Sequence, residues 1–168
     1  VLLEVGLGGR YDATNIVTPH ACVITTIDLD HKEYLGDTRE LVGYDKAGIF
    51  RPHIPAIVGD LEIPHTVTDY GNEIDADMVL SGRDFKFTED SEGFNWQYKG
   101  KDWRLAKPAI PCQNAATALT LLAKLDLLPS EQQVRDCLAN LTVEKRDKYG
   151  YHINSYSGCC FTDRSEER

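Results

Sequence analysis

Apolar and polar residues follow two different rhythms along this chain, and the change of rhythm divides it. Up to Asp77, short continuous apolar runs are separated by helical or turn-rich stretches. Val1–Val5, interrupted only by Glu4, reads as a buried strand, and Ala21–Ile27, rich in Val, Ile and Thr, reads as a second. Asp37 with Glu40 three residues on forms a capping box, which predicts a helix from there to about Ala47 with Gly48 as its stop. Ile54–Val58 reads as a third buried strand, with Pro55 near its start where a missing N–H is tolerated. Pro64 suits the first turn of another helix. Strands alternating with helices predict an α/β fold built on a mostly parallel sheet.

After Asp77 the period becomes two. Phe85 and Phe87, then Phe94, Trp96 and Tyr98, then Trp103 and Leu105 alternate with polar residues, and the turn-rich DSEG and KGKD separate them. A small antiparallel meander with one buried face follows. Helical spacing returns in CQNAATALTLLAKL, where Ala115, Ala118, Leu119, Leu122 and Leu125 share a face. Ser130 with Gln133 makes a further capping box, opening a helix whose apolar stripe is Val134, Cys137, Leu138 and Leu141. Residues 142–168 lose periodicity and gather charge, so a disordered or foreign tail is expected there. The chain shows no internal repeat.

Composition narrows the partners more than the fold. The 168 residues are 42% hydrophobic and 27% charged, as in ordinary globular proteins. With 27 acidic residues against 18 Lys and Arg, the net charge is -9, and no Lys/Arg cluster interrupts it, so no nucleic-acid partner is expected. An anionic ligand would need local attraction, from a metal ion or a few placed cations. The five cysteines, Cys22, Cys112, Cys137, Cys159 and Cys160, fit neither a disulfide framework nor a zinc pattern, which favours a reducing, cytoplasmic setting. No apolar run reaches membrane-spanning length, and no membrane partner is expected. A chain that begins inside an apparent strand and without Met reads as an internal piece of a longer parent, expected to be monomeric.

The candidate chemistry begins at Gly6-Leu7-Gly8-Gly9, a loop whose backbone N–H groups could approach phosphate. A dinucleotide-binding loop would continue to a third glycine where Tyr11 stands, so the glycines alone are weak evidence. Glu4 at the mouth of this loop is more informative, because a carboxylate beside a phosphate calls for a cation between them. Ligands of open parallel sheets bind at the carboxyl ends of the strands. Glu4 is expected near the end of the first strand, His31 just past the second, and Lys46 near the end of the following helix. Singly, each has an ordinary explanation: a cap on a turn, a surface imidazole, a cation complementing a helix dipole.

Together they carry a resemblance. EVGLGGRYDATNIV, LDHKEYLGDT, DKAGIFR and QNAATAL, in that order and covering roughly residues 1–141, resemble the folylpolyglutamate synthase/dihydrofolate synthase branch of the Mur ligase family. The first block is specific to the folate branch, whereas LDH and KAGI are shared more widely among Mur-type ligases. The resemblance implies that residues 1–141 are the C-terminal portion of a P-loop NTPase-like central ATP-binding domain. It also implies roles by position. Glu4 and His31 are ligands of two Mg²⁺ ions, Lys46 is a carbamylated catalytic residue, Asn114 contacts ATP, and Tyr11, Asp12 and Ala13 bind the pteroate substrate. Asp45 stands where the family usually has Glu.

The implied reaction is an ADP-forming ligation. A carboxylate of dihydropteroate or of a folate's terminal glutamate is phosphorylated by ATP, and the amine of L-glutamate then displaces phosphate from the acyl phosphate. Two family motifs, a GTNGKGS-type phosphate loop and a DxAHNP-type motif, do not occur in these 168 residues, and TVEKRDKYG replaces a PGR-like segment. The stretch alone is therefore expected to be inactive, and a frameshift near Thr142 would explain the tail. Two other readings stay open: a Mur-type ligase of cell-wall precursors, and a non-catalytic nucleotide-binding module.

Overall fold

Ala56, Ile57 and Val58 are fully buried along one strand, so that strand must be covered on both faces, and the rest of the fold supplies the covers. The structure is a computed structural model and describes residues 1–29 and 31–142. A three-stranded parallel sheet runs in the order β1 (Cys22–Ile24), β2 (Pro55–Val58), β3 (Asp77–Leu80), with Val23 opposite Ile57 and Ile57 opposite Val79. Between the strands lie α1 (Lys32–Leu35), α2 (Arg39–Ala47) and α3 (His65–Glu73).

Side-chain alternation sends the two faces of β2 to different cores. Ala56 and Val58 join Ile24, Val42, Ala47, Phe50 and Val67 on the face covered by α2 and α3. Ile57, with Val79, joins Ala115, Ala116 and Leu119 of α4 (Cys112–Lys124) on the other. That second core continues into an antiparallel meander, β4 (Phe85–Glu89), β5 (Gly93–Tyr98) and β6 (Lys101–Ala106). Trp96 lies opposite Trp103, and Phe94 opposite Leu105. Trp96 is fully buried, and its indole N–H donates to Thr120 Oγ1 at 2.9 Å, which satisfies its one polar atom. The final helix, α5 (Glu131–Asn140), opens with the reciprocal Ser130–Gln133 capping box that its sequence predicts. Among the described residues no helix is long and apolar enough to cross a membrane.

Several expectations need correction. Val1–Val5 is not a strand: it is irregular, with Val1, Leu2 and Leu3 exposed. A strand exists by pairing, and no described residue offers this segment a ladder. The cap of α2 is Thr38, whose hydroxyl accepts from the Leu41 N–H; Asp37 stands one residue too early. Asp77–Leu80 pairs in parallel with β2 before the meander begins. It is only four residues long and runs into the alternating segment, so its own signal is slight. The four-residue α1 is too short to announce itself by periodicity. The tail expected at 142–168 falls, from residue 143 on, outside the described residues.

Gly59, just past β2, lets α4 close on the sheet. A Cβ there would lie 2.1 Å from Thr117 Oγ1 and 3.0 Å from its methyl, on a fully buried side chain of α4. Gly71 is nearly as tight, but its obstacle is the thioether end of Met78, which can swing away. Gly59→Ala is expected to destabilise the protein by about 1–3 kcal/mol, as overpacking does, and Gly71→Ala by less. Urea denaturation of the two variants measures the order.

Candidate functional site

The glycine loop is held shut by its own aspartate. Asp12 Oδ2 accepts from the Gly6 N–H at 3.0 Å and the Leu7 N–H at 3.3 Å, while Oδ1 accepts from the Thr14 N–H at 2.8 Å and hydroxyl at 2.7 Å. It thereby caps the short 3₁₀ turn Ala13–Ile16. Donors on the charged form hold the Asp12 carboxyl at about 2, with the Thr14 hydroxyl the largest cause, then the Thr14 and Leu7 N–H groups. The residue expected to bind substrate is thus fully engaged in shaping the loop.

The loop is latched in turn to the end of α2. Asn15 donates to the carbonyls of Arg10 and Gly48, and Arg51 Nη2 donates to both the carbonyl and the side-chain oxygen of Asn15, at 2.7 and 2.8 Å. The Arg10 N–H donates to the Asp45 carbonyl, and the Arg10 guanidinium lies 4.2 Å from the Tyr44 ring centroid and 4.6 Å from that of Tyr70. The sequence blocks GGRYDATN and DKAGIFR are therefore one structural unit.

Gly8 and Gly9 sit where this unit is tightest. A Cβ on Gly8, whose φ is +65°, would meet Asp45 Oδ2 at 2.1 Å and Leu35 Cδ2 at 2.8 Å. A Cβ on Gly9 would meet the Lys46 carbonyl at 2.9 Å. Leu35 is four residues past His31, and Asp45 directly precedes Lys46. The segments bearing His31 and Lys46 thus converge on the glycine loop.

The convergence does not take the expected form. α2 runs antiparallel to β1: Arg39 at its start bonds the Ile27 carbonyl past the end of β1, and Ile49 beyond its end accepts from the Cys22 thiol at the beginning of β1. The segments bearing His31 and Lys46 meet the glycine loop beside the end of α2, while Asn114 lies apart from them on α4, at the end of β1. Glu4 is exposed on the irregular first segment, and no strand end delivers it. His31 caps α1 in left-handed backbone conformation, φ 49°, and is exposed. Lys46 is half-buried in the last turn of α2. Tyr11 and Ala13 form an exposed lip, Tyr11 being 90% accessible. Asn114 lies in the first turn of α4; its neighbour Gln113 donates to the Thr25 carbonyl and Thr26 hydroxyl, which docks that turn at the end of β1.

Among the described residues, no three of His, Cys, Asp and Glu stand together as a metal cage. The donor set, one carboxylate, one imidazole and one modifiable amine, does not fit a resident all-protein site. Mg²⁺ carried in on nucleotide phosphates, an ion that keeps several waters, would need only one or two of these groups. Two surface hollows, one beside the start of β3 and one over the meander, include none of the candidate residues.

Sequence reasoning missed Asp60 and Arg39. Asp60 is 4% exposed, and its Oδ1 accepts from Arg39 Nη2 at 2.8 Å. A signal did exist, since an arginine in the first turn of a helix opposes the dipole and calls for a specific anionic partner.

No family model matches the chain. A curated relative, the dihydrofolate synthase/folylpolyglutamate synthase of Haemophilus influenzae, is 42% identical over 149 residues, which is 87% of this chain and 34% of the relative. The solved structure of Escherichia coli FolC with DHPP and ADP is 42% identical with a TM-score of 0.77, covering 82% of this chain and 33% of that one. The chain is a homologue of the folylpolyglutamate synthase/dihydrofolate synthases. A bifunctional enzyme of that name, solved with Mn, AMPPNP and L-glutamate bound, is 40% identical with a TM-score of 0.77 over 85% of this chain and 35% of its own. The chain spans about a third of the length of the curated relatives it matches.

The low carboxyl value of Asp12 carries a sign. Its contribution to closing the loop is complete above the ordinary aspartate range, near pH 4, and is lost as pH falls through about 2. The amide resonances of Gly6, Leu7 and Thr14 are expected to titrate together in that window. Asp12→Ala is expected to give the open-loop shifts already at pH 7, read by two-dimensional NMR.

Proposed function

We propose that the whole protein of which these residues are part is an ATP-dependent, ADP-forming ligase that adds L-glutamate to dihydropteroate, to folates, or to both. The observation that carries the reading is the convergence of α1 and the end of α2 on Gly8, beside the block EVGLGGRYDATN. It is supported by the relatives' names and by the ADP, AMPPNP, Mn and L-glutamate held in their structures.

In this reading a substrate carboxylate attacks the γ-phosphate of ATP, ADP leaves, and the acyl phosphate accepts the amine of glutamate, which releases phosphate and a proton. Tyr11, Asp12 and Ala13 on the lip hold the pteroate, and the Asp12 carboxylate also keeps the lip in shape. Asn114 meets the nucleotide from the docked end of α4. Glu4 and His31 would hold Mg²⁺, as two ions, on the phosphates. The metal supplies neutralisation of charge that builds around the transferring phosphoryl group. Lys46 adds CO₂ at its neutral amine, losing a proton and becoming an anionic carbamate, which turns a cation that would repel the metal into an oxygen donor. The place of Lys46, half-buried in the last turn of α2 beside the glycine loop, suits this. The whole protein is proposed to work as a cytoplasmic monomer.

The test is ligation by the full-length protein: L-glutamate-dependent release of ADP and phosphate with dihydropteroate or a reduced folate. His31→Ala and Lys46→Ala are expected to lower the rate by about 10²–10³-fold, the scale for lost electrostatic stabilisation of a transition state. A carbamate signal from ¹³C-bicarbonate is expected in the wild type and absent in Lys46→Arg. Full activity with a free amine at Lys46 would contradict the carbamate, and use of a UDP-muramoyl precursor instead of a pteroate would contradict the substrate. The 168 residues alone, lacking a GTNGKGS-type loop, are expected not to turn over ATP.

A further inference from the structure

The β1 ladder ends at Ile24, yet the next three residues are held as firmly as strand. The Ile24 carbonyl accepts from the Gly59 N–H at 2.8 Å, and Gln113 holds Thr25 and Thr26. Ile27, 1% exposed, is gripped on both sides of its backbone. Its N–H donates to Asp60 Oδ2 at 2.6 Å, and its carbonyl accepts from Arg39 Nε at 2.9 Å. Arg39 and Asp60 are themselves joined at 2.8 Å, and Arg39 also donates to the carbonyl and carboxylate of Glu62, at 2.9 and 3.1 Å. Asp60 Oδ1 accepts in addition from the Glu62 N–H at 2.8 Å.

Beyond Ile27 this support changes. Asp28 and Leu29 are exposed, and the N–H of Leu29 is bonded only locally, to Asp28 Oδ1. His31 then caps the four-residue α1, which is too short to be stable by its backbone hydrogen bonds alone. α1 ends at Gly36, φ +94°, against Leu41 of α2. The chain returns to the sheet at Arg39, and this residue bonds Ile27. One side chain therefore pins together both ends of the segment 28–38, and His31 is inside it. Closing the base of a loop narrows the range of positions its interior can reach.

We propose that Arg39, locked to the buried Asp60, is a positioning residue for His31. The clamp fixes where the segment leaves the sheet and where it comes back, and so where the imidazole is presented. Several features favour this role over general stabilisation. The bonds made by Arg39 go to a loop base and a strand-end loop rather than within a helix or ladder. The fork of the guanidinium is used at all three nitrogens, a geometry that an ammonium cannot reproduce. The dipole of α2 disfavours a cation at this position, so the partner contacts, not helix stability, account for it. The importance of His31 for metal rests on the ligase reading above, whereas the clamp rests on the contacts alone.

The test compares Arg39→Lys and Asp60→Asn with the wild type in the full-length protein, by amide hydrogen exchange and by Mn²⁺ affinity in the presence of AMPPNP. Arg39→Lys keeps the charge and loses the fork; Asp60→Asn keeps the shape and loses the anion. Both are expected to exchange about tenfold faster across 28–36, with β2 and α4 unchanged, and to bind Mn²⁺ about tenfold more weakly, the loss expected when a ligand's orienting partner goes. Unchanged exchange at 28–36 in both variants would overturn the proposal, and so would equal loss of protection throughout β2 and α4. His31→Ala separates the two readings. Weakened Mn²⁺ binding with unchanged loop exchange supports His31 as a ligand. Wild-type Mn²⁺ affinity in His31→Ala would contradict the metal reading and with it the clamp's role for His31.

Discussion

Two glycines set the spacing on which the candidate site depends. At Gly8 a single added carbon would fall 2.1 Å from the Asp45 carboxylate, and at Gly9 it would fall 2.9 Å from the Lys46 carbonyl. The absence of side chains there lets an irregular loop lie against the last turn of α2 while Leu35 at the end of α1 closes on the same glycine. The usual explanation of a glycine-rich loop is room for a phosphate. Here the room is taken by protein, and the effect is to draw together two segments far apart in the chain.

Around that contact the structure uses polar ties instead of a core. Asp12 closes the loop, Asn15 and Arg51 fasten it to the turn after α2, and Arg10 lies over two tyrosines. Cation–π contacts at such half-buried positions contribute about 0.5–2 kcal/mol each, so neither dominates the unit. The apolar cores do different work. They hold β2 between two layers, and Gly59 admits α4 closely enough for Gln113 to reach the end of β1. The fold thus positions Asn114 by packing and the glycine loop by hydrogen bonds.

Much of this was legible in the residues. The meander, α4 and α5 follow from strong periodicity, and the capping box at Ser130 appears as written. The four motif blocks pointed to the family of the relatives that the chain matches. What escaped was whatever depends on partners distant in sequence. Val1–Val5 has strand-like residues, but pairing decides whether a strand forms, and no described segment pairs with it. The Asp60–Arg39 clamp joins residues 21 apart, and neither belongs to an apolar pattern. The resemblance gives Asp12 a substrate-binding role; that its carboxylate also organises the loop is visible only from the positions of its four donors.

The most direct measurement is the anomalous scattering of Mn²⁺ in crystals of the full-length protein grown with AMPPNP. The account predicts metal density beside the glycine loop, within bonding distance of His31 and of extra density extending from the Lys46 amine. Metal bound to the nucleotide with both side chains turned away, or metal at a site that excludes the α2 flank, would contradict it.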